Sequence, residues 1–415
     1  MTAPTLDDVR AKDAADPLRS FRDRFVIGNG ADDPVAYLDG NSLGRLPKAT
    51  AERLREVVER EWGRRLIRSW DDGWLDLPER VGDLVGSAVL GAAPGQVVVA
   101  DSTTVNIAKA LHAAAALRPD RRVLVADPAD FPTDRYLVES VADQRGLKVA
   151  WLADGVGALD AVLDGGLDGG LDRVLGDYAA AVLLSAVDYR TAAFADVPAI
   201  TSAVHDAGAV MVWDLSHAAG SVPLSLDSDE VDLAVGCTYK YLNAGPGAPA
   251  YLYAASRHHE RLDNALPGWI GADDVFAMAD RYVPAPGIRR MLSGSPYVLG
   301  LVAVEEGLRL VAEAGIEQIR AKGIALTELL VALADEWLAS YGVEVASPRD
   351  PVRRGAHVVL RHPEAQRIDH ELAARGVIGD YRNPDLWRLG LSPLTTSYEE
   401  VWLAMQATRE WFAGS

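Results

Sequence analysis

Seven short apolar runs, separated by stretches of helical character, constrain this chain more than any other feature. They are Gln96–Ala100, Arg122–Asp127, Lys148–Leu152, Ala180–Ala186, Ala209–Leu215, Leu233–Cys237 and Ala248–Tyr253. They do not alternate polar with apolar residues, which is the pattern of strands covered on both faces of a mostly parallel sheet. Helical stretches at Val105–Leu117, Tyr136–Arg145 and Pro198–Ala207 fall between them, and a helix over Lys48–Arg68 begins after Pro47. Strands joined by crossover helices give an α/β layer fold. Past Pro296 the texture changes. Leu299–Ala339 reads as long charged helix, followed by short strands near His357–Arg361 and Trp387–Leu391. The expected organisation is a large domain over residues 48–298, with a mostly parallel seven-stranded sheet, and a smaller C-terminal α/β domain over residues 299–415.

Two of the apolar runs end in residues that carry chemistry. One closes on Asp214, with His217 three residues on; the next leads into Tyr239 and Lys240, followed by the turn Gly245-Pro246-Gly247. A lysine at a strand end can hold an aldehyde cofactor as a Schiff base. A carboxylate at the neighbouring strand end can keep a pyridinium nitrogen protonated, so that the ring draws electrons from a substrate. The pattern therefore predicts a pyridoxal 5'-phosphate (PLP) site built on Lys240 and Asp214. Between the first strand and its helix, Asp101-Ser102-Thr103-Thr104 offers hydroxyls and free backbone N–H groups, which suit a phosphate.

Composition excludes more than it assigns. The 415 residues carry 41 Lys plus Arg against 60 Asp plus Glu, a net charge of −19. Such a balance argues against nucleic acid or an anionic membrane surface as partner. No run of about 18 apolar residues is present, so no membrane span is expected. The first ten residues include Asp7 and Asp8 and lack the apolar core of a secretion signal. The single cysteine, Cys237, rules out an intrachain disulfide and points to a cytoplasmic enzyme. No metal site is expected. The Gly- and Asp-rich stretch Asp154–Asp172 is too short for a calcium-binding repeat and reads as a surface loop or frayed helix.

Four word-like motifs carry a closer resemblance. They are Tyr37-Leu38-Asp39-Gly40-Asn41-Ser42-Leu43-Gly44, Phe131-Pro132-Thr133-Asp134, Trp213 to Gly220 and Gly236 to Gly247. In order and content they resemble kynureninase, a family of PLP-dependent hydrolases of fold type I that cleave L-kynurenine to anthranilate and L-alanine in tryptophan breakdown. The likeness runs from about Tyr37 to Trp402. It implies a homodimer with shared active sites, and an N-terminal segment, residues 1–47, that joins the small domain. It implies that Thr103 and Thr104 hold the PLP phosphate, Phe131 stacks on the ring, and Asp134 and Ser185 order its polar edge. Asp214 would pair with the ring nitrogen, with His217 beside the ring. Tyr239 would touch the phosphate and donate a proton, and Trp269 and Ser295 would complete the phosphate contacts, Ser295 from the neighbouring subunit. Arg388 would bind the substrate α-carboxylate, with Ser42 close to it or to the aryl end. Trp70 and Gly294 resemble the bacterial type of pocket, which prefers kynurenine to its 3-hydroxy form.

The sequence departs from the family pattern in three places. Ala272 and two aspartates follow Gly-Trp-x-Gly, where the family often has His; Thr191-Ala192 replaces the end of an Arg-Thr-Gly; and Thr395 stands where Tyr is common. These leave room for a modified kynurenine as substrate. A cysteine desulfurase on the same fold is the rival enzyme. It needs a loop cysteine after the lysine, whereas Cys237 precedes Lys240.

Overall fold

The computed structural model describes residues 4–28, 30, 33–152 and 175–414. The stretch Asp154–Asp172 lies outside them. Thirteen strands are formed among the described residues, of which β1 is Ala36–Tyr37. The next seven are β2 (Val97–Val99), β3 (Val123–Ala126), β4 (Lys148–Trp151), β5 (Ala179–Ser185), β6 (Val210–Asp214), β7 (Leu233–Gly236) and β8 (Tyr251–Ala254). They make one sheet in the order β2-β8-β7-β6-β5-β3-β4. All neighbours from β7 through β4 are parallel, and β8 runs antiparallel to both β7 and β2. Strands β5, β6, β7 and β8 are buried at every position, which is why the sequence shows no alternation there.

Apolar clusters cover both faces. On one, Ile107, Leu111 and Ala114 of the helix Thr103–Leu117 pack with Leu124, Leu183 and Val212; on the other, Val81, Val85, Ile200, Val204, Leu301 and Val304 pack with Met211 and Trp213. A second body contains β9 (Glu344–Val345), β10 (His357–Arg361), β11 (Val377–Ile378), β12 (Asp380–Arg382) and β13 (Leu386–Gly390). Four of these form an antiparallel sheet in the order β12-β13-β10-β9, while β11 pairs in parallel with β1. Val9 of the first helix shares a core with Leu330, Leu389, Val401 and Met405, so the chain's beginning packs against its end.

Three expectations need correction. The helix from Lys48 keeps α geometry only to Glu56; wider turns carry it to Arg65, and Leu66 reverses to a φ of 56°. The last strand of the large sheet starts at Tyr251 rather than Ala248, because Gly247 at φ 70° and the Thr238 hydroxyl bound to Pro249 O (2.8 Å) hold the preceding residues in a turn. The long helix after Pro296 is two, Val298–Ala314 and Ile316–Trp337, broken where Gly315 takes φ 79°.

From β3 the chain steps outward to β4, then returns to β5 on the other side of β3. The exits of β3 and β5 therefore diverge, and a crevice opens beyond their carboxyl ends, the usual ligand position in such sheets.

Candidate active site

A cavity of about 250 Å³ fills that crevice. Lining it are Ser42, Thr103, Thr104, Phe131, Asp134, Ser185, Asp214, His217, Tyr239, Lys240 and Arg388, all expected from the sequence. They arrive from several strand exits, some of them in pairs. Ser102 caps the helix Thr103–Leu117, its hydroxyl accepting from Val105 N, so Thr103 and Thr104 form the first turn and face the cavity with the helix's free amides. Phe131 precedes the helix Pro132–Arg145 and sets its ring edge-on to Tyr189, 5.4 Å between centroids. Ser185 and Asp214 end β5 and β6 in matched register.

Lys240 follows β7 in a tight turn in which Asn243 N donates to Lys240 O (3.0 Å) and Asn243 takes φ 57°. The N-terminal segment closes over this turn. Gly44 N donates to Tyr239 O (2.8 Å), and a Cβ on Gly44 would stand 2.3 Å from Lys240 O, so only glycine fits there. Lys240 Nζ lies 3.1 Å from His217 Nε2. Burial, then the charges of Lys240 and Arg388, pushes the His217 imidazole well below its usual range, so the ring is neutral and its Nε2 accepts from the ammonium. His357, buried and 5.6 Å from His217 between ring centroids, is likewise held neutral, by burial first and then by Arg388.

Carboxylates crowd the opposite wall. Asp214 Oδ1 accepts from Ser216 N (2.8 Å). Burial, and after it the charge of Asp214, raises the Asp134 carboxyl well above the ordinary range. Asp134 Oδ2 and Thr103 Oγ1 are buried without hydrogen-bond partners. Orphaned polar atoms on a cavity wall are what a polar ligand leaves when it is not counted. With a lysine, a strand-end carboxylate and a hydroxyl-bearing helix N-terminus around one space, the donor set fits PLP.

Arg388, in mid β13, is almost fully buried. Its guanidinium donates to Tyr189 O (2.9 Å) and Ser42 Oγ (2.8 Å) and forms a close ion pair with Asp380, which also binds Arg382 (2.6 Å). With its amide turned to match its neighbours, Asn41 accepts from Arg388 Nε (3.0 Å) and donates to Asp39 (3.3 Å). Sequence reasoning missed Asp380, Arg382, Asn41, Tyr189 and His357. The first two had a signal: Asp380 and Arg382 alternate on β12, and Asp380 is the register partner of Arg388. Nothing in the sequence marks His357, which reaches the site through its pairing with Gly390.

Trp70, Trp269, Gly294 and Ser295 do not reach this cavity within one chain. Trp70 packs edge-on to Trp269, 6.2 Å between centroids. Gly294 and Ser295 line a separate cleft of about 360 Å³ with Asp101, Ser102 and Tyr297. Among the departures, Ala192 takes φ 67°, the left-handed conformation a glycine would favour, while Thr191 N and hydroxyl both donate to Asp188 (2.6 Å). Cys237 is buried, its thiol pKa raised by burial, and it donates to Ser216 O (3.7 Å); it is no mobile nucleophile.

Among solved structures, the cysteine desulfurase of Thermococcus onnurineus NA1 superposes with a TM-score of 0.78 at 18% identity, over 100% of this chain and 99% of that one. A C-DES mutant with glycine covalently linked to its PLP cofactor gives 0.77 at 15% identity, over 94% and 99%. At such identities these likenesses show the shared fold alone, that of the fold-type I PLP enzymes. Residues 319–408 match the family model of the kynureninase C-terminal domain. The kynureninase of Pseudomonas fluorescens is 40% identical over 413 residues, 98% of this chain and 95% of that protein. That extent of identity, on a fold shared with PLP enzymes and around a cavity that fits the cofactor, makes this chain a member of the kynureninase family.

Proposed function

We propose that the protein hydrolyses the Cβ–Cγ bond of L-kynurenine to anthranilate and L-alanine, as a step in tryptophan breakdown. The observation that carries this is the convergence of Lys240, Asp214 and Arg388 on one cavity from three separate strands. PLP bound there supplies an electron sink for charge developing on the substrate carbons. Asp214 holds a proton on the ring nitrogen, and Thr103 and Thr104 take the phosphate at the helix N-terminus. Lys240 Nζ, as the neutral amine, takes the proton of the substrate Cα, and its contact with neutral His217 keeps it turned into the cavity. Tyr239 keeps its phenolic proton, because burial and then the neighbouring Cys237 and Asp214 raise its pKa; it is equipped to donate that proton to Cβ. Arg388 takes the α-carboxylate, which then shares or replaces Asp380 in its fork.

On the same reading the enzyme is a cytoplasmic homodimer. Its large domain spans residues 48–298; residues 299–415, joined by residues 1–47, form the small one. Ser295, Trp269, Trp70 and Gly294, remote from the cavity of their own chain, serve the partner's site: Ser295 and Trp269 as phosphate contacts, Trp70 and Gly294 in setting its preference for unsubstituted kynurenine. Anthranilate release is measured with kynurenine and with 3-hydroxykynurenine, using Lys240→Ala as the inactive control. Kynurenine is expected to have at least tenfold higher kcat/KM, about 1.4 kcal/mol of transition-state preference. Equal or reversed preference removes the selectivity assignment, and no anthranilate from kynurenine removes the function.

A further inference from the structure

Asp101 stands between β2 and the helix Thr103–Leu117 with φ 54°. A non-glycine residue in this region is strained, and it persists only where its surroundings hold it. Two contacts hold this one. Its carbonyl accepts from Ala250 N (2.9 Å), and its carboxylate forms an ion pair with Lys109 Nζ (2.7 Å). Lys109 sits on the same helix with its side chain 1% exposed, reaching back towards the helix N-terminus. The same ammonium donates to Met291 O (2.8 Å). Met291 ends a short helical turn and leads directly into Leu292-Ser293-Gly294-Ser295. That loop is itself pinned, with Ile270 N donating to Ser293 O (3.3 Å) and the backbone of Gly268 packed so close that no Cβ would fit.

A buried lysine is costly unless it is fully paired, and an apolar side chain of the same length would fill this position with no desolvation penalty. Lys109 ties together the two segments that the proposed function assigns to phosphate binding: the turn of residues 101–104 and the loop of residues 293–295. We propose that Lys109 is a positioning residue that sets the phosphate-binding turn and the Ser295 loop in one fixed relation, so that cofactor binding at the turn orders the loop. This rests on the reading that the turn holds the PLP phosphate. If Ser295 serves the partner's site, the same ammonium links the two cofactor sites of a dimer.

The test uses full-length apoprotein titrated with PLP, read by absorbance, by thermal shift and by hydrogen exchange over residues 291–296. In the wild type PLP raises the melting temperature and slows exchange in that loop. Lys109→Met keeps the volume and removes both contacts; PLP affinity is expected to fall tenfold or more, and loop protection on PLP binding is expected to vanish. Asp101→Asn, which tolerates the left-handed backbone and keeps a hydrogen bond to Lys109, should lose only about threefold in affinity and retain loop protection. It carries the test if Lys109→Met does not fold: in Asp101→Asn, unchanged affinity would overturn the proposal, as would protection lost without any change in affinity. Lys109→Met that is less stable yet binds PLP as the wild type does, with the loop still protected, shows a merely structural lysine and also overturns it. A wild-type apoprotein that PLP fails to stabilise would instead defeat the phosphate reading itself.

Discussion

The two ends of the central sheet treat buried carboxylates in opposite ways. At the amino-terminal end of β7, Asp232 accepts from Met211 N (2.8 Å), His205 Nε2 (2.7 Å), His258 Nε2 (2.7 Å) and Arg257 (2.7 Å). Burial pushes its pKa up, but the hydrogen bonds from both histidines and the amide more than offset this and hold it far below the carboxylate range. At the carboxyl end, Asp134 has a buried oxygen without a partner and faces the charge of Asp214, so its pKa goes up. One end spends its polar groups on itself; the other leaves them to meet a ligand. Burial alone does not separate a structural acid from a functional one, whereas the tally of satisfied oxygens does.

The largest expected effect tests the satisfied end. Asp232→Ala should cost about 3–5 kcal/mol of stability, since it strands the buried groups around it, while PLP affinity of the folded fraction stays as in the wild type; denaturant melts and PLP titration check both. The sign with pH follows. Because the native pKa lies below the unfolded value of 3.8, the contribution is complete above that value and is lost as pH falls beneath it. If Asp232→Ala melts like the wild type, the contrast between the two ends fails.

The converse holds at the other end. Asp134→Asn replaces a carboxyl whose charged form burial and Asp214 both disfavour, so the cofactor-free protein should be as stable as the wild type or gain about 0.5–2 kcal/mol, while PLP binds more weakly. Thermal melts of the apoprotein with and without PLP give both numbers. A clear loss of apoprotein stability would make Asp134 a structural acid like Asp232.

A smaller effect sharpens the picture at the substrate end. The Asp39 carboxyl is pushed up to about 6, by burial first and then by Asp380, against a hydrogen bond from Ser42 and the charge of Arg388. As pH rises through 6, Asp39 gains a negative charge beside Arg388 and competes with the substrate carboxylate. KM for kynurenine should rise about fivefold, roughly 1 kcal/mol for one partly screened charge, between pH 5 and 7, and Asp39→Asn should flatten that rise. KM measured across this range, with kcat as internal control, decides it.

The parts of this protein legible in its sequence are those fixed by local pattern. Buried parallel strands leave apolar runs, and the strand-end residues Asp214 and Lys240 mark where those runs stop. Strand β8 was legible as a strand but not as an antiparallel one, because direction is set by the turn through Gly247 and Pro249 and not by apolar content. The same limit hid His357 and Asn41. Their place in the site comes from the pairing of β10 with β13, about thirty residues on, and of residue 39 with Gly390, more than three hundred residues on, and no periodicity encodes such partners. Gly315 was visible as a glycine, yet the long helical pattern on both sides masked the break it makes.

The meeting of β1 with β11 has a consequence for how the enzyme comes into being. Leu38 N donates to Ile378 O (2.8 Å), Gly390 N donates to Leu38 O (2.6 Å), and a few residues later Gly44 grips the backbone at Tyr239. On a ribosome, the segment carrying Asn41 and Ser42 emerges first but has no strand to pair with until residues 377–390 have been made. Lys240 and Asp214 exist long before then, in a crevice still lacking its cover and Arg388. A chain made only as far as Lys240 thus has the reactive amine without the substrate clamp, and catalytic competence arrives only once residues 377–390 have been made.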